Sequence, residues 1–301
     1  MNYKIITGAN NSYILTLLSF IEHYHSLGLN TENLTIYNLG LNNENLQKIN
    51  NITNHRITIK CLDYSIYPEH VNLNIYNGLY CSYAFKPIII YNESVSNSNI
   101  PVLWLDCACR IINNTLLNIL NSIQKYGFYC PVGNYKNTIE SIELNHPKSI
   151  ELLGITSYEH HNELETRLAC VCGVNYNIIA GKTIMDDWYR YSLDKNIIMP
   201  EGSSRNNHRQ DQTILSVLLY KYEKKYNIVF EKSNFDISCW NKKDIFDQDI
   251  SLKRYKLMDK KNGKQLAIIY TDNLEQAIKI YHERKQITKE DFLMYFNVAI
   301  I

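Results

Sequence analysis

Residues 101–110 read PVLWLDCACR. A proline opens the stretch, Val102 to Leu105 are all large and apolar, and Asp106 ends the run. A short apolar run bounded by a turn signal predicts a buried strand. An ionised carboxylate is costly to bury without a partner, so Asp106 is expected where the strand leaves the core. In open α/β sheets that carboxyl edge is where ligands bind. The plain alternative is a turn-capping aspartate, common at strand ends.

Upstream of this stretch, YKIITG (3–8), LTIYNL (34–39) and ITIKCL (57–62) read as strands. Between them lie an apolar-periodic helix over 12–27, stopped by Gly28, and a polar helix over 43–50. Strand and helix alternating in this way predict a parallel sheet of crossover units. Asp63, like Asp106, ends a strand. A helix over about 79–92 carries Lys86 just before Pro87, which belongs in a first turn. Downstream, helices are expected over 114–126 and 182–195, with a strand over 168–174 between them. The segment 199–222 passes from a Gly/Ser/Asn loop into an apolar helix, with His208, Arg209, Asp211 and Gln212 at its start. A helix start suits an anion, although Asp211 also reads as an ordinary first-turn carboxylate. Beyond 245 a hairpin turning at Asn262-Gly263 and a helix over 272–285 are expected. The predicted organisation is an α/β domain over 1–245 and a small α+β appendage over 246–301 without a catalytic role of its own.

The chain of 301 residues has a net charge of +1, with 45% hydrophobic and 20% charged residues. That near-neutral balance gives no long-range field toward nucleic acid or an acidic membrane, so neither is an expected partner. No window has the length of a membrane span, and the N-terminus lacks a signal-peptide pattern; the cytoplasm or a cytoplasm-like compartment is the expected location. Eight cysteines in such a chain are expected as thiols. Cys107/Cys109 and Cys170/Cys172 have strand spacing, narrower than zinc ligand pairs use, and read as small core residues. His160, His161, Glu163 and Glu165 could form a metal cluster, but a solvated loop is the better reading. Among the 24 tyrosines, Tyr13, Tyr64, Tyr67 and Tyr83 fall at strand ends or loops, where rings can stack on a base or sugar. Compositional drift in an Asn-, Ile-, Lys- and Tyr-rich chain explains their number equally well.

Taken together, TGANNSYILTLLSFI (7–21), LDYSIYP (62–68), YAFKP (83–87), VLWLDCACR (102–110) and HRQDQTIL (208–215) resemble a GT-A fold glycosyltransferase, near glycosyltransferase family 8. The resemblance covers about 3–220 and implies a Rossmann-like, mostly parallel central sheet flanked by helices. It implies a UDP-sugar donor, with Thr7, Gly8, Ala9 and Tyr13 in the loop that holds uracil and ribose. Asp63 would contact the base, with Tyr67 beside it. Lys86 would reach the donor phosphate or sugar, and Asp211 and Gln212 would line the sugar pocket. Asp106 aligns with the first carboxylate of a metal-binding D-x-D motif, where Mn²⁺ or Mg²⁺ would sit, and His208 is the nearest substitute for the family's histidine ligand. The second carboxylate is replaced by Ala108, which weighs against a metal. A metal-free site would look to Lys86, Arg110, Arg205, His208 and Arg209 to balance the leaving UDP. The implied activity is transfer of a hexosyl or N-acetylhexosaminyl group to a hydroxyl of a glycan or protein acceptor, with Asp106, Asp211, Glu165 and Lys86 as the catalytic set. A non-catalytic nucleotide-sugar-binding protein with a degenerate D-x-D is the alternative. A nucleotidyltransferase ranks third, because TGANN is poor in glycine and Asp106 stands alone.

Overall fold

The computed structural model describes residues 2–76, 81–111, 114–132, 144–204, 207–239, 253–261, 263, 265–271, 274–285 and 288–300. The chain divides into two compact units, Met1–Ser238 and Cys239–Ile301. The boundary expected at 245/246 lies outside the described residues.

The first unit is built on a six-stranded sheet of β1 (Lys4–Ala9), β2 (Leu34–Asn38), β3 (Thr58–Cys61), β4 (Val102–Leu105), β6 (Phe128–Tyr129) and β7 (Val171–Val174), in the order β3-β2-β1-β4-β7-β6. A two-residue strand, β5 (Cys109–Arg110), follows the turn after β4. β1 pairs in parallel with β2 and β4, and β2 with β3. The strand expected over 168–174 forms as β7, but it runs antiparallel to both β4 and β6. The sheet is therefore mixed and mostly parallel.

Period-two alternation divides the sheet between two cores. Ile5, Leu103 and Leu105 face one core, with Leu17, Phe20 and Ile21 of α1 (Ile14–Ser26) and Ile119 and Ile123 of α4 (Thr115–Tyr126). Ile49 of α2 (Asn43–Thr53) joins them. Ile6, Val102 and Trp104 face the other core, against α3 (Phe85–Ser96), α7 (Ile179–Ser192) and α9 (Gln210–Tyr226). Helices on both faces make the α/β layering. α3 starts later than the expected 79, and Pro87 falls in its first turn, where a missing N–H costs nothing.

Two short helices, α5 (Pro147–Leu152) and α6 (Ser157–Asn162), precede β7, and α8 (Lys195–Ile198) follows α7. The polar segment expected as a loop is thus helical at α6. Thr156 and Glu159 form a reciprocal capping box there, fixing the helix start.

α4 ends at Gly127 in the left-handed conformation, φ +79°, as helix ends favour. Gly181, in the first turn of α7, lies against this corner: a Cβ on it would meet the Gly127 carbonyl oxygen and come within 2.5 Å of the Asn175 carbonyl oxygen. Both obstacles are backbone. Gly181→Ala is expected to destabilise the unit by roughly 1–3 kcal/mol, the usual range for overpacking, read as a lower urea midpoint at unchanged slope.

The second unit has an antiparallel sheet of Lys253–Asp259 between Gln265–Thr271 and Phe296–Ile300, with helices Leu274–Lys285 and Lys289–Tyr295. The expected hairpin is present; Asn262 lies outside the described residues, and Gly263 takes φ +67°. Tyr255, Leu257, Ala277 and Phe292 form its small core. Among the described residues, no helix is long and apolar enough to cross a membrane.

Candidate active site

A cavity of about 250 Å³ opens at the carboxyl edge of the sheet, where β1 and β4 lie side by side. The end of β1 contributes Gly8, and the segment after it Asn10 and Tyr13. The start of α3 contributes Tyr83, Phe85 and Lys86, and the end of β4 contributes Trp104, Asp106 and Ala108. The two central parallel strands thus deliver their C-terminal residues to one hollow, as open α/β sheets do.

Asp106 is fixed from both sides. Its N–H donates to the Cys170 carbonyl at 2.8 Å, and its carbonyl accepts from the Cys109 N–H at 2.7 Å, closing a tight turn. Trp104, two residues earlier and so on the same face of the strand, donates Nε1–H to Asp106 Oδ1 at 2.6 Å. Lys86 Nζ stands 3.1 Å from Oδ1 and 3.5 Å from Oδ2. The carboxylate remains about a third open, with 37% of its side chain exposed.

Lys86 is buried between two carboxylates. It contacts Asp211 Oδ2 at 3.5 Å, donates to the Ala169 carbonyl at 3.1 Å, and lies 5.8 Å from the centre of the Trp104 ring. Burial alone would lower its pKa; Asp106 and Asp211 outweigh that, and the ammonium is held well above its ordinary value. Asp211 stands behind Lys86, away from the cavity lining, and is itself buried. Burial pushes its carboxyl up to about 6 against the pull of Lys86. Its carbonyl accepts from Trp188 Nε1 at 3.0 Å, which docks the start of α9 on α7. Tyr83 and Gln210, the residues leading into Lys86 and Asp211, have left-handed backbones at φ +55° and +41°. Such non-glycine positions store strain that the surrounding packing must hold.

The remaining expected site residues divide by where they point. Gly8 and Tyr13 line the cavity; Thr7 and Ala9 are buried beside it in β1 and do not line it. Arg110, expected to balance a leaving diphosphate, is instead buried as a structural tie. It donates to the carbonyls of Cys107 at 2.7 Å and Cys109 at 2.9 Å, and to Thr16 and Ser19 of α1 at 3.3 and 3.1 Å. His208 is also turned inward. Its Nε2 pairs with the Ile198 carbonyl at 3.0 Å, and its Nδ1 accepts from the His146 N–H at 3.3 Å, so it has no open ligating nitrogen. Glu165 forms a surface ion pair with Lys232. Asp63 is exposed and caps a short turn, accepting from the Ser65 N–H at 3.0 Å and Oγ at 2.6 Å, which lowers its pKa. The Tyr67 hydroxyl accepts from Asn92 at 3.1 Å. Arg209 and Gln212 open α9 without lining the cavity, and Arg205 lies outside the described residues.

Burial lowers the His208 pKa to about 4, so the ring stays neutral in the fold. Its stabilising contribution is full above the unfolded value near 6.5 and is lost as pH falls toward 4. Between pH 7 and pH 5 the parent protein is expected to lose about 2 kcal/mol more than His208→Gln, compared by urea denaturation at both values.

The D-x-D expectation meets the same geometry. Position 108 is alanine, and the Asp106 carboxylate already carries an indole N–H and an ammonium. Among the described residues, no group of three His, Cys, Asp or Glu side chains could hold a metal ion. These residues do not fit a divalent cation. Of the four cysteines expected in the core, Cys107, Cys109 and Cys172 are buried thiols, whereas Cys170 is only partly buried. Burial pushes the Cys107 thiol, which borders the cavity, up to about 12.

Sequence reading missed Trp104 as a site residue, although its spacing from Asp106 places both on one strand face. It also missed Asn10 and Phe85 in the lining.

The layered sheet with a cavity at its carboxyl edge defines an α/β chain similar in structure to solved glycosyltransferases. It is similar to the galactosyltransferase LgtC in complex with donor and acceptor sugar analogs, at 16% identity over 71% of this chain and 70% of that one, with a TM-score of 0.45. It is also similar to the bifunctional glycosyltransferase WbbM, at 9% identity over 73% of this chain but 37% of that one, TM-score 0.45. TarS residues 1–349 of S. aureus match at 14% identity over 73% and 56%, TM-score 0.34. At these scores the likenesses assign no activity and no residue role. No protein-family model matches the chain, and no curated protein does.

Proposed function

We propose that the first unit is a glycosyltransferase that takes its sugar from a UDP-sugar and passes it to a hydroxyl of a glycan or protein acceptor. The observation that carries the reading is the convergence of Lys86 and Asp106 on the floor of one cavity at the carboxyl edge of β1 and β4, with Asp211 behind them. The sequence resemblance adds the donor class.

In this reading the partly open Asp106 carboxylate accepts hydrogen bonds from donor hydroxyls. Lys86 holds that carboxylate in place from inside and keeps a fixed positive charge at the floor, near the bond that breaks. Preorganised charge of this kind lowers the barrier without rearranging during the reaction. Asp211 acts through Lys86 as a positioning residue. Tyr13, at the rim and 40% exposed, offers a ring face for the base or a sugar.

The second reading, a nucleotide-sugar-binding protein without turnover, is favoured by Ala108. One assay separates the two. Saturation-transfer NMR with UDP-glucose, UDP-galactose and UDP-N-acetylglucosamine is expected to detect binding of at least one donor, and UDP release above background with simple glycoside acceptors identifies a transferase. Binding without release supports the second reading, and no binding by any donor rejects both.

A further inference from the structure

We infer that Lys86, in place of a divalent cation, is the positive partner of Asp106, and that donor binding at this cavity is independent of Mg²⁺ and Mn²⁺. The inference rests on the nucleotide-sugar reading above.

Hard divalent cations need several oxygen ligands at about 2.0–2.6 Å. The cavity floor offers them one carboxylate, and that carboxylate is in use. Asp106 Oδ1 receives the Trp104 Nε1–H at 2.6 Å and faces the Lys86 ammonium at 3.1 Å; Oδ2 lies 3.5 Å from the same nitrogen. The residue that would bring a second carboxylate is Ala108.

The ammonium cannot simply step aside. It also donates to the Ala169 carbonyl at 3.1 Å and faces Asp211 Oδ2 at 3.5 Å as an ion pair, so it is held by oxygen atoms of two further segments. The Lys86 side chain is 7% exposed. An ion approaching Asp106 would meet a like charge that has nowhere to go and whose departure would strand the buried Asp211. The electrostatic role that a bound cation would fill is therefore built into the chain, on α3.

The test is a Mn²⁺ titration of the protein followed by electron paramagnetic resonance, with a parallel calorimetric titration of UDP in EDTA and in Mn²⁺. The free-ion signal is expected to follow the protein-free control, and the two UDP affinities to agree within about twofold once UDP–Mn²⁺ association is subtracted. Two results would overturn the inference. One is stoichiometric loss of the Mn²⁺ signal in the parent but not in Asp106→Asn. The other is a UDP affinity raised about tenfold or more by Mn²⁺ in the parent, with that gain absent in Asp106→Asn. A signal loss that persists in Asp106→Asn reports ions bound elsewhere and upholds the assignment. Failure of UDP to bind in either buffer rejects the nucleotide-sugar reading, and the Mn²⁺ titration of the protein alone still decides what Asp106 holds.

Discussion

Asp106→Asn is expected to lower UDP release from a UDP-sugar by about 100-fold or more while leaving the fold in place. The magnitude is that of removing one preorganised group from a reacting site. The fold should survive because the side chain is 37% exposed, the amide oxygen can still accept from Trp104 Nε1 in place of Oδ1, and Asp211 remains beside Lys86; the cost is the loss of the nearer counter-charge of that ammonium. The turn after β4 is held by the Asp106 backbone, through the Cys170 carbonyl and the Cys109 N–H, and the substitution does not touch it. The change removes a charge and one acceptor from the cavity floor and leaves Asp211 as the carboxylate facing Lys86. The check is the initial rate of UDP release in parent and variant, with a urea melt of each. Full activity in a folded variant would take Asp106 out of the reaction and leave the cavity without its facing carboxylate.

Lys86→Met should cost more in stability than any other change at the site. Removing one partner of a buried ion pair typically costs 3–5 kcal/mol, because the other charge is left buried and uncompensated. Here the stranded group is Asp211, whose Oδ2 has no hydrogen-bond partner in the parent. With the ammonium gone, its pKa should climb further above the value of about 6 that burial already gives it. A carboxyl with a raised folded pKa contributes stability at low pH that is lost as pH rises through that value. The deficit of Lys86→Met relative to the parent is therefore expected to be largest at pH 8 and to shrink toward pH 5. Urea denaturation of both proteins across that range measures it. A deficit independent of pH would mean that lost packing, rather than the Asp211 charge, carries the cost.

The parts of this architecture legible in the sequence are those with local causes. Val102–Leu105 reads as buried because four large apolar residues leave no polar face, and Gly28 and Gly127 mark the ends of α1 and α4 because left-handed backbone suits glycine. The direction of β7 was not legible. VCGV reads alike in either orientation, and only its register against Trp104 and Leu103 makes it antiparallel. The site was legible as a set of residue types but not as a set of directions. Arg110, His208 and Lys86 look alike on paper as cations near loops. Four acceptors within reach turn Arg110 into a brace, and a backbone carbonyl and N–H turn His208 into a neutral spacer. Lys86 alone of the three keeps carboxylate partners at a cavity wall. Which fate a charged side chain meets depends on the oxygen atoms that distant segments bring to it, and periodicity carries no record of that.

The same dependence sets an order of assembly. Lys86 lies on the third long helix, and Asp211 arrives with the last helix of the first unit. Until α9 docks, with Trp188 bonded to the Asp211 carbonyl, the ammonium has lost one of its two counter-charges and resists leaving water. β1 and β4 belong to a crossover series that can form early, but the pocket wall they share would then close around an ammonium that lacks one of its two carboxylates. A chain emerging from the ribosome would therefore hold this half of the domain open until its final helix is made. Any fragment ending before α9 should expose the apolar face of β4 and α3, which makes incomplete chains ready substrates for chaperones and proteases.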